Sequence, residues 1–224
     1  MRFLTYNIRH AEGYDGWVSN ARVAKIVREA GADVVGLNEL WRIPRLFEQP
    51  RLLAEKLDMN CEFQVTTKYL VQSLGNAVLT SGEIVRCKNL ELPRGIERRS
   101  ALIVDIELGG VPISFATTHL SLGRSRRAEQ IETLRRELPR DRPLVLAGDF
   151  NCLPEELQPL GEFLSAIPNS PATFPAIRPS KALDHIMFSE HWELGEVHAI
   201  RSKASDHLAL VADLELRSRA SVIR

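Results

Sequence analysis

Gly148-Asp149-Phe150-Asn151 is the stretch of this 224-residue chain best equipped for chemistry. It closes the apolar run Pro143-Leu144-Val145-Leu146-Ala147, which reads as a buried strand. Side chains two residues apart on an extended segment share a face. Asp149 and Asn151 would therefore project together into one pocket. An acid that can hold a metal ion or a water, beside an amide that can donate to an anion, suits phosphoester chemistry. Asp, Gly and Asn also gather in ordinary turns, so the tetrapeptide alone decides nothing. Four further apolar runs carry polar residues at one end: 2–7 ending in Asn7, 33–39 in Asn38-Glu39, 113–119 in His119, and Leu208 to Val211 entered through Ser205-Asp206-His207. Polar residues placed repeatedly at strand ends predict a shared site on one edge of a sheet core.

The elements that would position these residues follow a repeated plan. Residues 19–30 predict a helix with Val23, Ile26, Val27 and Ala30 on one face, capped by Ser19 or Asn20 and ended by Gly31. Residues 125–138 predict a second, with Ala128, Ile131, Leu134 and Leu138 as its apolar face and Pro139 as its stop. Each helix stands between two polar-ended strands. The units from Asn7 to Glu39 and from His119 to Asn151 each span about thirty residues, the size of a strand–helix–strand unit. This weak internal symmetry predicts two similar layers packed face to face, with helices outside and the site at their common edge. Further strands are expected at 76–80, 83–86, 100–108, 182–188 and 207–216. A proline-rich stretch after residue 151 reads as ordered loop with one short helix around 155–166. The expectation is one domain over 1–217 and a short basic tail, 218–224.

Bulk composition narrows the class. The formal net charge is zero, which argues against a constitutively basic nucleic-acid binder but leaves room for a local basic cleft. Three cysteines at wide spacing, with no C-x-x-C, argue against a disulfide framework or a zinc site and fit a reducing compartment. Cys152 reads as packing. The first strand begins at the second residue, before a signal peptide could form, and no apolar stretch is long enough to span a bilayer. A cytoplasmic protein without a membrane-spanning segment is expected.

Taken in order, Thr5-Tyr6-Asn7-Ile8-Arg9, Leu37-Asn38-Glu39-Leu40, Gly75-Asn76-Ala77-Val78-Leu79, Thr118-His119-Leu120, Gly148-Asp149-Phe150-Asn151, Leu183-Asp184-His185-Ile186 and Ser205-Asp206-His207 resemble the motifs of the endonuclease/exonuclease/phosphatase superfamily, whose founding fold is that of pancreatic deoxyribonuclease. They span nearly the whole chain. The resemblance implies an α/β fold, a four-layered α-β-β-α sandwich with two packed mixed sheets, and a divalent-metal-dependent phosphoesterase. It gives Glu39 the principal place in a Mg²⁺ (or Mn²⁺) site, since hard carboxylate oxygens without paired Cys or His suit those ions. Asp206 and Asn7 would support that site. Asp149 would orient and deprotonate the attacking water, Asn151 would donate to the phosphoryl oxygen or hold the nucleophile, and His207 would contact the phosphate with Asp184 holding its other nitrogen. Whether Asp149 or His207 is the base stays open. His119 matches a family histidine that contacts the phosphate from the far side.

Departures from the family bear on the substrate. Asn38 stands where many relatives have glutamine. Arg9 is cationic where apurinic-site endonucleases carry an acid, which favours a substrate-phosphate contact over such a repair role; the bland alternative is a surface pair with Glu12 or Asp15. Arg99, in the run Glu97-Arg98-Arg99, and Arg124, at a helix start, are the other candidate substrate contacts. Trp17, Trp41 and Tyr69 are expected at the rim, partly buried. His10, His185, His191 and His198 read as ordinary. The leading expectation is a phosphoesterase with a nuclease or phosphodiesterase activity, nucleic acid being one partner class. The alternatives are a sphingomyelinase-like or inositol/small-molecule phosphatase, and a non-catalytic binding module on the same fold.

Overall fold

A computed structural model describes residues 1–217; the expected basic tail lies outside the described residues. In chain order the elements are β1 (Arg2–Asn7), α1 (Asn20–Ala30), β2 (Val34–Ile43), β3 (Phe47–Glu48), α2 (Gln49–Leu57), β4 (Asn60–Tyr69) and β5 (Gln72–Thr80), then β6 (Glu83–Glu91), β7 (Ser100–Leu108), β8 (Val111–His119), α3 (Arg124–Glu137), β9 (Leu144–Asp149), β10 (Leu164–Ala166) and β11 (Asp184–Ser189), and last β12 (Trp192–Ile200) and β13 (Ala209–Leu216). One sheet runs β12-β13-β1-β2-β5-β4 with β3 beside β2; the other runs β10-β11-β9-β8-β7-β6. Both are mixed. β1 pairs parallel with β2 across α1, and β8 pairs parallel with β9 across α3. Read from opposite ends, the two strand orders superpose, so the internal symmetry expected from the sequence is present in the topology.

Strand alternation builds the layers. Phe3, Val34 and Val78 of the first sheet meet Phe115, Val145 and Ile186 of the second in an apolar cluster between the sheets. Leu4, Tyr6, Val35 and Leu37 face the other way, onto Val23, Ile26 and Val27 of α1 and Leu53 of α2. On the far side Leu144 and Leu146 pack against Ile131 and Leu134 of α3. Each such fully buried side chain contributes about 1.5–3 kcal/mol of transfer free energy. The result is a four-layered α-β-β-α sandwich. α1 ends as its sequence demands: the Ser19 side chain accepts from the Arg22 N–H, and Gly31 takes a left-handed φ of 61°.

Two local expectations fail. Ala128 is exposed, and α3 turns Arg127 and Gln130 inward with Ile131 and Leu134 instead. Arg127 is held by the Ser121 and Leu122 carbonyls and by Glu156, so its charge is satisfied on burial. The helix expected around 155–166 is a 3₁₀ segment, Pro154–Glu162, interrupted by Pro159 and followed by β10. Among the described residues no helix is long and apolar enough to cross a membrane.

Candidate active site

The inward-facing strand rows change character at one edge. Phe3 gives way to Asn7 on β1, Phe115 to His119 on β8, and Val145 to Asp149 on β9, each an even number of residues along. Register brings the polar ends together: Asn7 lies opposite Asn38, His119 opposite Asp149, and Asp149 opposite Asp184. Seven of the residues singled out from the sequence (Asn7, Glu39, His119, Asp149, Asn151, Asp184 and His207) converge on this edge.

Asp149 is at the centre. Its Oδ1 accepts from the Asn151 N–H at 3.0 Å, and its Oδ2 accepts from Asn7 Nδ2 at 3.0 Å. The same Oδ2 lies 3.5 Å from His119 Nε2 and 3.7 Å from His207 Nε2. The close approach needs Gly148. A Cβ there would lie 1.9 Å from the Thr118 carbonyl oxygen, and the backbone has φ +148°. Burial, followed by the nearby Asp184 charge, pushes the Asp149 carboxyl up to about 7.

His207 and Asp184 form a dyad, with Nδ1 and Oδ2 2.8 Å apart. Burial works against the charge on His207, but Asp184 outweighs it through charge and hydrogen bond, and the imidazole is pushed up to about 10. His119 is the opposite case. Burial first, then Arg99 and His207, hold it well below the usual histidine range. It is therefore neutral, and its Nε2 lies 3.0 Å from Asn151 Nδ2, which also donates to the Leu120 carbonyl. Asn151 takes a left-handed φ of 50°, tolerated by asparagine.

Glu39 reaches the site through a break in β2. The register shifts between Leu37 and Leu40, and Glu39 itself has φ 60°. Regular alternation after Asn38 would turn Glu39 toward the helix layer; the bulge re-aims it into the cleft. Its Oε1 accepts from Asn7 Nδ2 at 3.0 Å, and its side chain is 23% exposed against 2% for Asp149. Asn7 is oriented by the Arg9 N–H, which donates to its Oδ1, so its amide nitrogen faces the two carboxylates.

The donor set fits a hard divalent cation. It contains carboxylate oxygens and no thiolate, and Asp184 Oδ1 is buried without a hydrogen-bond partner. Asp149, Asp184 and His207 offer donor atoms within 4.8 Å of one another, a geometry that could hold a metal. Glu39 is the more solvent-accessible carboxylate beside it. Asp206 sits further out, its Oδ1 accepting from Ser205 Oγ and its Oδ2 3.9 Å from Arg9 Nε.

The model of the Endonuclease/Exonuclease/phosphatase family matches residues 4–207. The chain belongs to that family. A search of curated proteins finds no match. Among solved structures, an endonuclease/exonuclease/phosphatase from Beutenbergia cavernae is similar at 26% identity and a TM-score of 0.84, over 96% of this chain and 71% of that one. The human Nocturnin catalytic domain, solved with a bound sulfate anion, has 20% identity and a TM-score of 0.75, over 97% and 93%. A mannosyl-6-phosphatase from Bacteroides thetaiotaomicron has 16% identity and a TM-score of 0.73, over 96% and 100%. The last two share the fold. As a member of this family the chain is a hydrolase with a phosphoesterase fold and a buried Asp-Asp-His cluster.

Several placements differ from sequence reasoning. His10, read as ordinary, has its Nδ1 3.0 Å from the Glu39 carbonyl oxygen and its ring 4.6 Å from that of Trp41. Its nearness to Asn7 was the only available signal. Asn38 is a clamp between sheets: it donates to Asn76 Oδ1 and lies 3.4 Å from Thr117 Oγ1, while its own Oδ1 accepts from the Asp149 N–H. His185 is buried, 2.9 Å from the Cys152 carbonyl oxygen, and serves packing as expected. Arg9 lies 3.7 Å from Glu12. Arg99 pairs with Glu97 and lines a small cavity with Glu39 and His119. Arg124 is exposed, 3.7 Å from Glu156. Trp17 is 74% exposed rather than partly buried.

Proposed function

We propose that the chain hydrolyses a phosphodiester by in-line attack of water, with Mg²⁺ or Mn²⁺ held at Glu39. The observation that carries this reading is the pairing of a buried Asp149 with a His207 imidazole held charged by Asp184. The cation would supply positive charge to the phosphoryl oxygens. Asn7 fixes the Glu39 carboxylate, and Asp206 supports the same region. Asp149 takes the proton of the attacking water as its oxygen bonds to phosphorus, the P–O ester bond breaks, and the leaving alkoxide takes its proton from solvent water. His207 donates through Nε2 to a phosphoryl oxygen, where charge accumulates in the transition state. Asn151 aligns the nucleophile, and neutral His119 lies against the phosphate from the other side. Arg9, Arg99 and Arg124 are the candidate substrate contacts.

Nucleic acid is the first diester class to test. A lipid head-group ester, the sphingomyelinase-like alternative, is favoured by exposed aliphatic side chains on the loops around the cleft. The test sets plasmid DNA, bis-p-nitrophenyl phosphate, p-nitrophenyl phosphate and sphingomyelin side by side with Mg²⁺, Mn²⁺ or EDTA, and Asp149→Ala as the control. Diester cleavage abolished by both EDTA and the substitution supports the reading. Cleavage confined to the monoester refutes it, and silence on all four with a folded protein returns the binding-module alternative.

A further inference from the structure

The exposed large apolar side chains are not spread evenly. Among the described residues there are thirteen, and twelve lie on the segments at the edge that carries Asn7, Glu39, His119 and Asp149; Val85 is the exception. The loops at the opposite edge, such as 31–33, 81–82 and 109–110, contribute none. The four most exposed are aliphatic, Leu46, Leu70, Ile96 and Leu122, followed by Val71 and Trp17, each 74% exposed. Leu70 and Val71 form the tip of the β4–β5 hairpin, and Ile96 tops the β6–β7 loop. Tyr69 and Arg98, at the bases of these projections, line one small cavity with the catalytic-edge residues Glu39 and His119. A water-facing loop has no reason to concentrate such side chains on its tips. Concentrated exposed apolar surface marks an interaction site.

Charge is segregated the same way. The edge segments 8–19, 40–48, 68–72, 92–99, 120–126, 150–153, 167–183 and 201–207 carry thirteen lysines and arginines against five acids, or eight acids with Glu39, Asp149 and Asp184 of the cleft itself, in a chain whose formal net charge is zero. Cations stand next to the protruding aliphatics: Arg45-Leu46, Lys68 two residues before Leu70, Arg94 two before Ile96, and Leu122 two before Arg124. Aliphatic tips flanked by Lys and Arg match an anionic lipid surface, where apolar groups enter the acyl boundary and cations stay at the head groups. Single-stranded nucleic acid would call for a rim dominated by aromatic platforms interleaved with the basic residues; here eight exposed aliphatic side chains outnumber the four exposed aromatics, Tyr14, Trp17, Trp41 and Tyr69, and Trp and Tyr also suit the head-group level of a bilayer.

We propose that this rim docks the catalytic edge onto an anionic lipid bilayer, so that the phosphoester reaching Asp149 and His207 is a lipid head group. The substrate half of this statement rests on the phosphoesterase reading; the docking half does not. The test is co-sedimentation of the full chain in EDTA with vesicles of phosphatidylcholine alone or mixed with phosphatidylglycerol. It compares the native protein, His207→Ala, and the double variant Leu70→Ser/Ile96→Ser. Native protein and His207→Ala should bind the anionic vesicles and bind neutral ones weakly. The double variant should bind roughly tenfold less, with turnover of soluble bis-p-nitrophenyl phosphate unchanged. Absence of vesicle binding, or equal binding by the double variant, would overturn the docking. So would a double variant that loses plasmid binding instead, or a native dimer on size exclusion that the double substitution dissolves. Vesicle binding by a protein inert on every phosphoester would leave the docking intact and refute the phosphoesterase reading.

Discussion

The two strand–helix–strand units share a topology but make different contributions to the site. The second, β8-α3-β9, delivers Asp149 at the end of a regular strand, 2% exposed and surrounded by two histidines and three asparagines. The first, β1-α1-β2, delivers Glu39 through a bulge with a left-handed backbone, 23% exposed and linked to Asn7. Burial raises the proton affinity of one carboxyl, while access to solvent leaves the other open to a hydrated cation. A single backbone irregularity thus gives two copies of one plan a buried carboxyl in one and a solvent-open carboxyl in the other.

Breaking the buried half should cost most. Asp149→Ala is expected to lower kcat by about a thousandfold or more, within the range for general acid–base steps, while circular dichroism reports an unchanged fold. A loss under tenfold would remove Asp149 as the base. Asp184→Asn should come next. It leaves His207 without its buried anion, so turnover falls by roughly a hundredfold, and both limbs of the pH profile move to lower pH, the rising one because Asp149 loses the neighbouring charge. In the native enzyme activity should rise through about pH 7 as Asp149 deprotonates, and fall above about pH 10 as His207 loses its proton. A divalent cation held near Asp149 draws the rising limb lower. In Asp184→Asn the falling limb should move toward neutrality; an unmoved limb would detach it from His207.

The open half should respond differently. Glu39→Gln is expected to raise the Mg²⁺ concentration for half-maximal activity by about tenfold or more, with turnover partly restored at saturating metal. An unchanged metal requirement would place the cation elsewhere, for example against Asp149 and Asp184. The smallest effect is expected from Arg9→Ala, which should raise KM a few-fold and leave kcat nearly unchanged, because its side chain only skirts Asp206 and Glu12. A pure loss of kcat would put Arg9 on the transition state.

What could be read from the sequence follows from burial. The central strands β1, β2, β8 and β9 are covered on both faces and show as apolar runs, and Val23, Ile26 and Val27 mark α1 plainly. β4 and β12 are sheet edges whose residues are mostly half-exposed, so Asn60–Tyr69 and Trp192–Ile200 carry no continuous apolar signal. Asp149, Asn151, Asp184 and His207 were legible from strand-end position and motif order. The bulge that aims Glu39 was not, because nothing local in Leu37-Asn38-Glu39-Leu40 requires φ 60°. The clamp role of Asn38 was hidden as well, since its partners Asn76, Thr117 and Asp149 are distant in the chain.

Those carboxamides have a thermal consequence. Asn7 and Asn38 both bind Asp149 across the gap between the sheets, and Asn76 donates to the Ser100 carbonyl. The floor of the cleft is therefore also the seam that closes the sandwich. Heating cannot loosen one without opening the other, so inactivation and melting should coincide in a single cooperative transition, with no warm, folded, inactive form between them.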